Sequence, residues 1–321
     1  MEHIRWHSRP TLHRPTLVAA FTGWNDAGDA ASTAVRSMIE SWNARPLATI
    51  DPEEFTDFAS TRPHVRLTNG VREIVWPTVS AWHASLPGGD VIFVLGPEPS
   101  LRWKTFCDEL TSLANDMGVR TVLSLGSLLA DVSHNRAVNI IGTATDQDLI
   151  DRFDLRRSRY QGPTGIVGVL QNTFSNEGLP TMSFWAAVPA YASQIPSPKA
   201  ALSLVEKACD VIGVPVPAGA LADEAAEYEG RVDRFVEQDQ DLVGYVRRLE
   251  SLADAGIDVV DDDDDLDVYD EDDDDLDDDL DDDYGTERPS LESLDTGADG
   301  EPLAEHLIEE VEQFLRDQGS S

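Results

Sequence analysis

Residues Leu17 to Ala34 read LVAAFTGWNDAGDAASTA, an apolar strand, a small-residue turn and an alanine-rich helix in direct succession. A chain in that order closes a βα unit, and the pattern recurs. Apolar strand candidates fall at 16–21, 46–50, 91–95, 121–125, 138–143 and 181–187. Helical periodicity separates most of them, over 28–42, 100–117, 166–176 and 198–212, with Gly118 and Gly213 at two of the stops. Strands that alternate with helices predict an α/β domain built on a mainly parallel sheet. One insertion interrupts the alternation. Val65 to Thr68 and Val71 to Val75 flank Asn69-Gly70, which predicts a projecting β-hairpin.

The turn Gly23, Trp24, Asn25, Asp26, Gly28 lies where open α/β sheets bind ligands, since loops at the carboxyl ends of strands face the crevice. Asp26 and Asp29 also suit the first turn of a helix, so a well-capped βα turn accounts for the same residues.

Composition narrows the partners. The chain carries a formal charge of −37, and the tract 261–283 contributes 18 acidic residues and no basic one, leaving −19 for the rest. Nucleic acid is therefore not expected as a partner, because a phosphate backbone calls for a Lys/Arg stripe. The dense basic cluster Arg152, Arg156, Arg157 and Arg159 reads as helix-surface charge. The first residues, MEHIRWHSRPTLHRP, lack the apolar run of a secretory signal, and no later stretch reaches membrane-spanning length. A cytosolic protein without membrane partners is expected. Cys107 and Cys209 sit in amphipathic patterns that suit buried thiols.

The organisation expected is an N-terminal arm over 1–13, an α/β domain over 14–218, a long helix or helical hairpin over 219–256, a disordered acidic loop over 257–300 and an amphipathic helix over 301–318. Within 219–256, Tyr228, Val232, Phe235, Asp239, Leu242, Val246, Leu249 and Ala253 follow a four-three spacing. That seam predicts packing on the sheet domain or on another subunit, with a kink near 237–241 as the route to a hairpin. The acidic run, too poor in apolar residues for a core, reads as a solvating loop, a weak cation binder or a lure for basic proteins.

Catalytic signatures are sparse. His3, His7, His13, His64, His83, His134 and His306 are scattered, and His3 with His7 would lie in a frayed terminus, so neither metal nor cofactor is expected. There is no Gly-x-Ser-x-Gly elbow and no phosphate-binding Gly-Lys-Ser/Thr loop. The richest polar run follows strand 121–125: Gly126, Ser127, Asp131, His134, Asn135 and Arg136, predicted as one loop. There Asp131 or His134 could serve as a general base and Arg136 could hold an anion, or the set could form a satisfied loop network. Gly162, Pro163 and Gly165, in YQGPTG at 160–165, precede the predicted helix 166–176; they could receive an anion or a partner's carboxylate, or simply make a tight helix entry.

Several segments in order resemble one family: GWNDAG at 23–28, DPEEFTDF at 51–58, RP at 62–63, WP at 76–77, YQGPTGIVGVL at 160–170 and VPAYASQIPSPKAALSL at 188–204. They resemble the PAC2, or proteasome assembly chaperone 2, family in its actinobacterial form, across roughly residues 14–254. The resemblance implies a phosphorylase/hydrolase-like α/β fold with a mixed sheet, homo-oligomers of which a trimer is the expected size, and possible proteasome subunits as partners. It implies no catalytic residue. Archaeal relatives tend to end in a hydrophobic-tyrosine-any residue tail, whereas this chain ends Arg316-Asp317-Gln318-Gly319-Ser320-Ser321, which speaks against that docking mode. Ala190 stands where a histidine is expected before Tyr191, which speaks against proton transfer at that loop. The resemblance thus favours a non-enzymatic assembly or interaction protein. The alternative is a phosphorylase- or hydrolase-like enzyme on a small anionic or nucleoside-type ligand.

Overall fold

The computed structural model describes residues 2–217 and 219–256. The acidic loop and the last amphipathic helix expected from sequence lie outside the described residues. In chain order the elements are β1 (Ile4–Trp6), β2 (Thr16–Thr22), α1 (Ala30–Ser41), β3 (Arg45–Ile50), β4 (His64–Thr68), β5 (Val71–Val75), β6 (Val79–Leu86) and β7 (Gly89–Pro97). There follow α2 (Trp103–Asp116), β8 (Thr121–Ala130), β9 (Ile140–Ala144), α3 (Gln147–Phe153), α4 (Ile166–Asn176), β10 (Thr181–Pro189), α5 (Pro198–Ile212), α6 (Ala220–Val236) and α7 (Gln240–Asp254).

Eight strands form one mixed sheet in the order β1-β3-β6-β7-β2-β8-β10-β9, and β4 pairs only with β5. Alternation along β2 sends Val18 and Ala20 to one face and Leu17, Ala19 and Phe21 to the other, so both faces of the sheet are buried. On the first face α1 and α5 bring Val35, Met38, Leu204 and Val205; on the second α2 and α4 bring Phe106, Leu110, Leu170 and Phe174. Each cysteine is buried under one of these layers, and burial pushes both thiols up to about 11.

The sheet is parallel only at its centre. The pairs β7–β2, β2–β8 and β8–β10 run parallel, while β1–β3, β3–β6, β6–β7 and β10–β9 run antiparallel. This corrects the expectation of a mainly parallel sheet. The reason is β6: a strand that the sequence reading passed over is joined to β7 by a short turn, with no crossover helix to make the pair parallel.

The N-terminal arm is likewise not frayed. Arg5 aligns with Thr49 across β1 and β3, and the Glu109 carboxylate accepts from the backbone N–H groups of Glu2 and His3. Of the arginine cluster only Arg152 lies on a helix; Arg156 instead bridges the β9 edge beside Thr143.

Two excursions leave the sandwich. Between β4 and β5, Asn69 and Gly70 take φ of +52° and +80°, the left-handed pair that a tight two-residue hairpin turn requires. All ten residues of this ribbon are exposed. The second excursion is the 219–256 segment, which breaks after Val236 and restarts at Gln240, where the Asp239 side chain accepts from the N–H groups of Asp241 and Leu242. It is a hairpin of two helices, not one long rod. Its seam is covered inside the chain: Tyr228, Val232, Val236 and Val246 pack with Tyr191, Ala192 and Ile195. Of the two packings expected for that seam, the one on the sheet domain is seen for these residues, and Phe235, one of its predicted members, points outward at 42% exposure while Val236 takes the buried place.

Candidate functional site

The residues singled out from sequence gather at two places. The first is the end of the central parallel strands. The β2–α1 turn is tighter than expected, because Gly28 (φ +56°) and Asp29 (φ +52°) are both left-handed and α1 starts only at Ala30. Asp29 makes no side-chain cap; the buried Asp26 reaches over it, its Oδ1 accepting the Ser32 N–H at 2.9 Å. Burial holds the Asp26 carboxyl above its ordinary range, partly offset by the Ser32 bonds. Ser127 is a strand residue within β8, not part of the predicted loop. Its N–H donates to the Asn25 carbonyl at 2.9 Å and its hydroxyl to the Ala27 carbonyl at 2.8 Å, which ties the turn to the sheet.

Asn25, fully buried, is held by a residue that the sequence reading missed. The Glu98 carboxylate, just past β7, accepts from Asn25 Nδ2 and from the Ile166 N–H, both at 2.7 Å through Oε1. Helix α4 has Gly165 at its N-cap and no side-chain cap of its own, so Glu98 supplies the missing acceptor from 68 residues away. Gly165 is required for a second reason: a Cβ there would stand 2.2 Å from Asn25 Oδ1. The absence of a local cap before 166 was the available signal; nothing in sequence named Glu98 as its replacement. Gly162 and Pro163 do not join this bracket, and form a local turn in which the Tyr160 hydroxyl donates to the Pro163 carbonyl at 2.8 Å. Trp24 stands outside it at 65% exposure.

The second place is the β8–β9 loop, where Asp131, His134 and Arg136 meet Tyr191 and the α6–α7 hairpin. The His134 side chain is fully buried. Its Nε2 lies 3.0 Å from Asp233 Oδ1 and its Nδ1 lies 2.6 Å from the Tyr191 hydroxyl, which also accepts the His134 backbone N–H at 2.9 Å. A carboxylate only accepts, so Nε2 donates to Asp233, and in the neutral ring Tyr191 donates to Nδ1. Burial pushes the Tyr191 hydroxyl up to about 12. Arg136 grips Asp254 through Nε and Nη2 at 2.8 and 2.9 Å, and this pair holds the Asp254 carboxyl below its ordinary range. Asp131 accepts from the Tyr245 hydroxyl at 2.7 Å. Lys199 Nζ donates to the carbonyls of His134 and Arg136, both at 2.7 Å, and to Glu229.

The chemistry open to this set is limited by its bonds. Both ring nitrogens of the candidate base are engaged, the candidate anion holder is engaged by two oxygens of Asp254, and Asp131 faces a tyrosine. Donors on the body meet carboxylates on the hairpin, Asp131 on the body accepts from the hairpin's Tyr245, and together these bonds fasten the hairpin to the sandwich. Asp233, Glu229 and Asp254 were missed from sequence because on an amphipathic helix a fastening carboxylate has the same spacing as a solvated one, and Tyr245 and Lys199 were missed with them. Among the described residues no group of three or more His, Cys, Asp or Glu could hold a metal ion. A shallow depression lined by Ile50, Phe55, Val79, Pro97 and Pro99 contains none of the candidate residues.

With the geometry in hand, comparison with known proteins places the chain. The model of the PAC2 family matches residues 20–236. The chain belongs to the PAC2 family. Among solved structures, a PAC2 family protein from Streptomyces avermitilis is 44% identical with a TM-score of 0.68, covering 72% of this chain and 99% of its own. A Mycobacterium tuberculosis proteasome-assembly chaperone homologue is 43% identical with a TM-score of 0.66, again covering 72% of this chain and 99% of its own. The Pyrococcus furiosus protein PbaB, an archaeal proteasome activator, shares the fold at 17% identity and a TM-score of 0.61, over 73% of this chain and 99% of its own. No curated protein matches the chain. The family's α/β architecture is the one described above, and none of the described helices is long and apolar enough to cross a membrane.

Proposed function

We propose that this PAC2 family member is a non-enzymatic, cytosolic assembly factor that acts through its surfaces, binding copies of itself, with a trimer as the expected size, and proteasome subunits. One observation carries this reading: the candidate polar residues Asp131, His134 and Arg136 are consumed by internal bonds, while large apolar side chains stand exposed. Those side chains fall into a ribbon group, Val65, Leu67, Val71, Ile74 and Trp76, and a group near the strand ends, Trp24, Leu101, Leu129 and Tyr160. Apolar surface of this kind marks interaction sites. The resemblance to a proteasome-assembly chaperone homologue supports the choice of partner. Affinity purification of the tagged chain at native level tests it: recovery of proteasome subunits is expected, and recovery of the chain alone overturns it.

A small-ligand reading draws on a separate observation. Asn25 Oδ1 and Asp26 Oδ2 are buried at the carboxyl ends of the parallel strands without a hydrogen-bond partner. Inorganic phosphate and nucleosides that raise the melting temperature would favour an enzyme there; no shift with any of them removes that reading.

A further inference from the structure

The β4–β5 ribbon is a structure that the rest of the described residues do not complete. A two-stranded hairpin alone is marginal in water, and stability calls for further strands or a surface to pack on. Here every residue of both strands is exposed, and among the described residues both outer edges are unpaired. Its cross-strand pairs sort the side chains. Val65 opposite Ile74 and Leu67 opposite Arg72 make one face, an apolar triad with a single cation; Arg66 opposite Glu73 occupies the other, where the two form an ion pair. Residues 62–75 hold Arg62, Arg66 and Arg72 against Glu73 alone, in a chain whose total charge is −37. The ribbon is thus an apolar, cationic arm on an anionic body.

Its complement lies at the tip of the α6–α7 hairpin. Phe235 is exposed there beside the buried Val232 and Val236, and the turn that follows carries Glu237, Asp239 and Asp241, all exposed, while Arg231 and Arg234 precede it on α6. An exposed apolar side chain followed by three exposed acidic residues stands at one excursion, and an apolar triad with Arg62 and Arg72 at the other.

We propose that the ribbon of one copy docks on the Phe235 tip of the next copy's hairpin, with Leu67 and Ile74 against Phe235 and Arg62 and Arg72 against Glu237 and Asp241. The contact rests on the self-association stated under the proposed function and names the two surfaces that make it. They differ, so the contact is head-to-tail: each chain gives one ribbon and receives another, and such a contact closes a ring when its rotation permits. Complementary charge sets the partner and makes association salt-sensitive.

Native mass spectrometry and sedimentation of the full chain test this, with Leu67→Asp on the ribbon and Phe235→Ser on the tip. Both positions are exposed, so circular dichroism should match the parent, and melting should match it at dilutions where the parent is dissociated. The parent is expected as a multimer, and each variant as a monomer at the same concentration. A head-to-tail contact further requires that the two variants, mixed, recover a heterodimer, since one keeps an intact tip and the other an intact ribbon. Arg72→Glu should weaken assembly at least tenfold, and Asp241→Arg added to it should restore part of that loss. A monomeric parent, a multimer that Leu67→Asp or Phe235→Ser leaves whole, or variants that fail to complement would each overturn the assignment. Capture of proteasome subunits by the monomeric variants separates the two claims: retained capture leaves the assembly-factor reading standing whatever becomes of the ribbon.

Discussion

The two excursions from the sandwich are built on opposite terms. The α6–α7 hairpin is amphipathic, and its apolar seam and its carboxylates both find partners on the body: Tyr191, Ala192 and Ile195 under Tyr228 and Val232, with His134 on Asp233, Arg136 on Asp254 and Lys199 on Glu229 around them. The β4–β5 ribbon carries comparable apolar side chains, and none of them is buried among the described residues. Amphipathic pattern alone does not separate the two cases. What separates them is whether the body offers donors and apolar surface at the place to which the connection delivers the element.

Substitutions should expose this difference in order of size. Tyr228→Ala, in the buried seam, is expected to destabilise the fold by about 3–5 kcal/mol in denaturant titration, the range for losing a buried aromatic ring; a loss under 1 kcal/mol would mean that the hairpin is not truly docked. Next comes the bracket at the strand ends. Glu98→Ala strands the Asn25 amide and the first N–H of α4, and is expected to lower stability by about 1–3 kcal/mol, with faster amide exchange at Ile166.

Asp26 gives a pH signature. Its carboxyl is held above the ordinary 3.8 by burial, so its contribution is full below that value and is lost as pH rises through the raised folded value. Asp26→Asn should flatten the fall in stability across that window, measured by melting at a series of pH values; an unchanged slope would mean that the carboxyl is solvated. Arg136→Gln, at an exposed pair, is expected to leave the melting temperature nearly unchanged while quickening exchange at the end of α7, an effect that high salt should imitate in the parent. Smallest of all, Ile74→Ala on the ribbon is expected within about 0.5 kcal/mol of the parent when the chain is kept dilute. A larger loss under those conditions would show that the ribbon packs on its own body.

Much of the fold could be read from sequence because both faces of the sheet are buried. Leu17 to Phe21 is apolar throughout, α5 runs from a proline to a glycine, and Asn69-Gly70 announces its turn. Strand β6 was harder, since its Trp82 and His83 are only partly buried and blur the pattern, and β1 is three residues long. At the candidate site the sequence marked Asn25, Asp26, Ser127, His134 and Tyr191, of which Ser127 bonds Asn25 and Tyr191 bonds His134, but not the acidic partners that hold them and Arg136. Those partners are set by chain crossings: Asp233 lies 99 residues from His134, Asp254 lies 118 from Arg136, and Glu98 lies 73 from Asn25. No local periodicity encodes such a pairing. The seam turns at the kink expected near 237–241, where Asp239 caps α7, and it leaves Phe235 and Ala253 outside.

The most direct test of the contrast between a closed hairpin and an open ribbon is amide hydrogen exchange on the full chain over a hundredfold range of concentration. Protection over residues 64–75 should rise with concentration while protection over α6 helix-interior amides stays constant. Ribbon amides that exchange equally fast at every concentration, or a hairpin that opens as freely as the ribbon, would contradict the account.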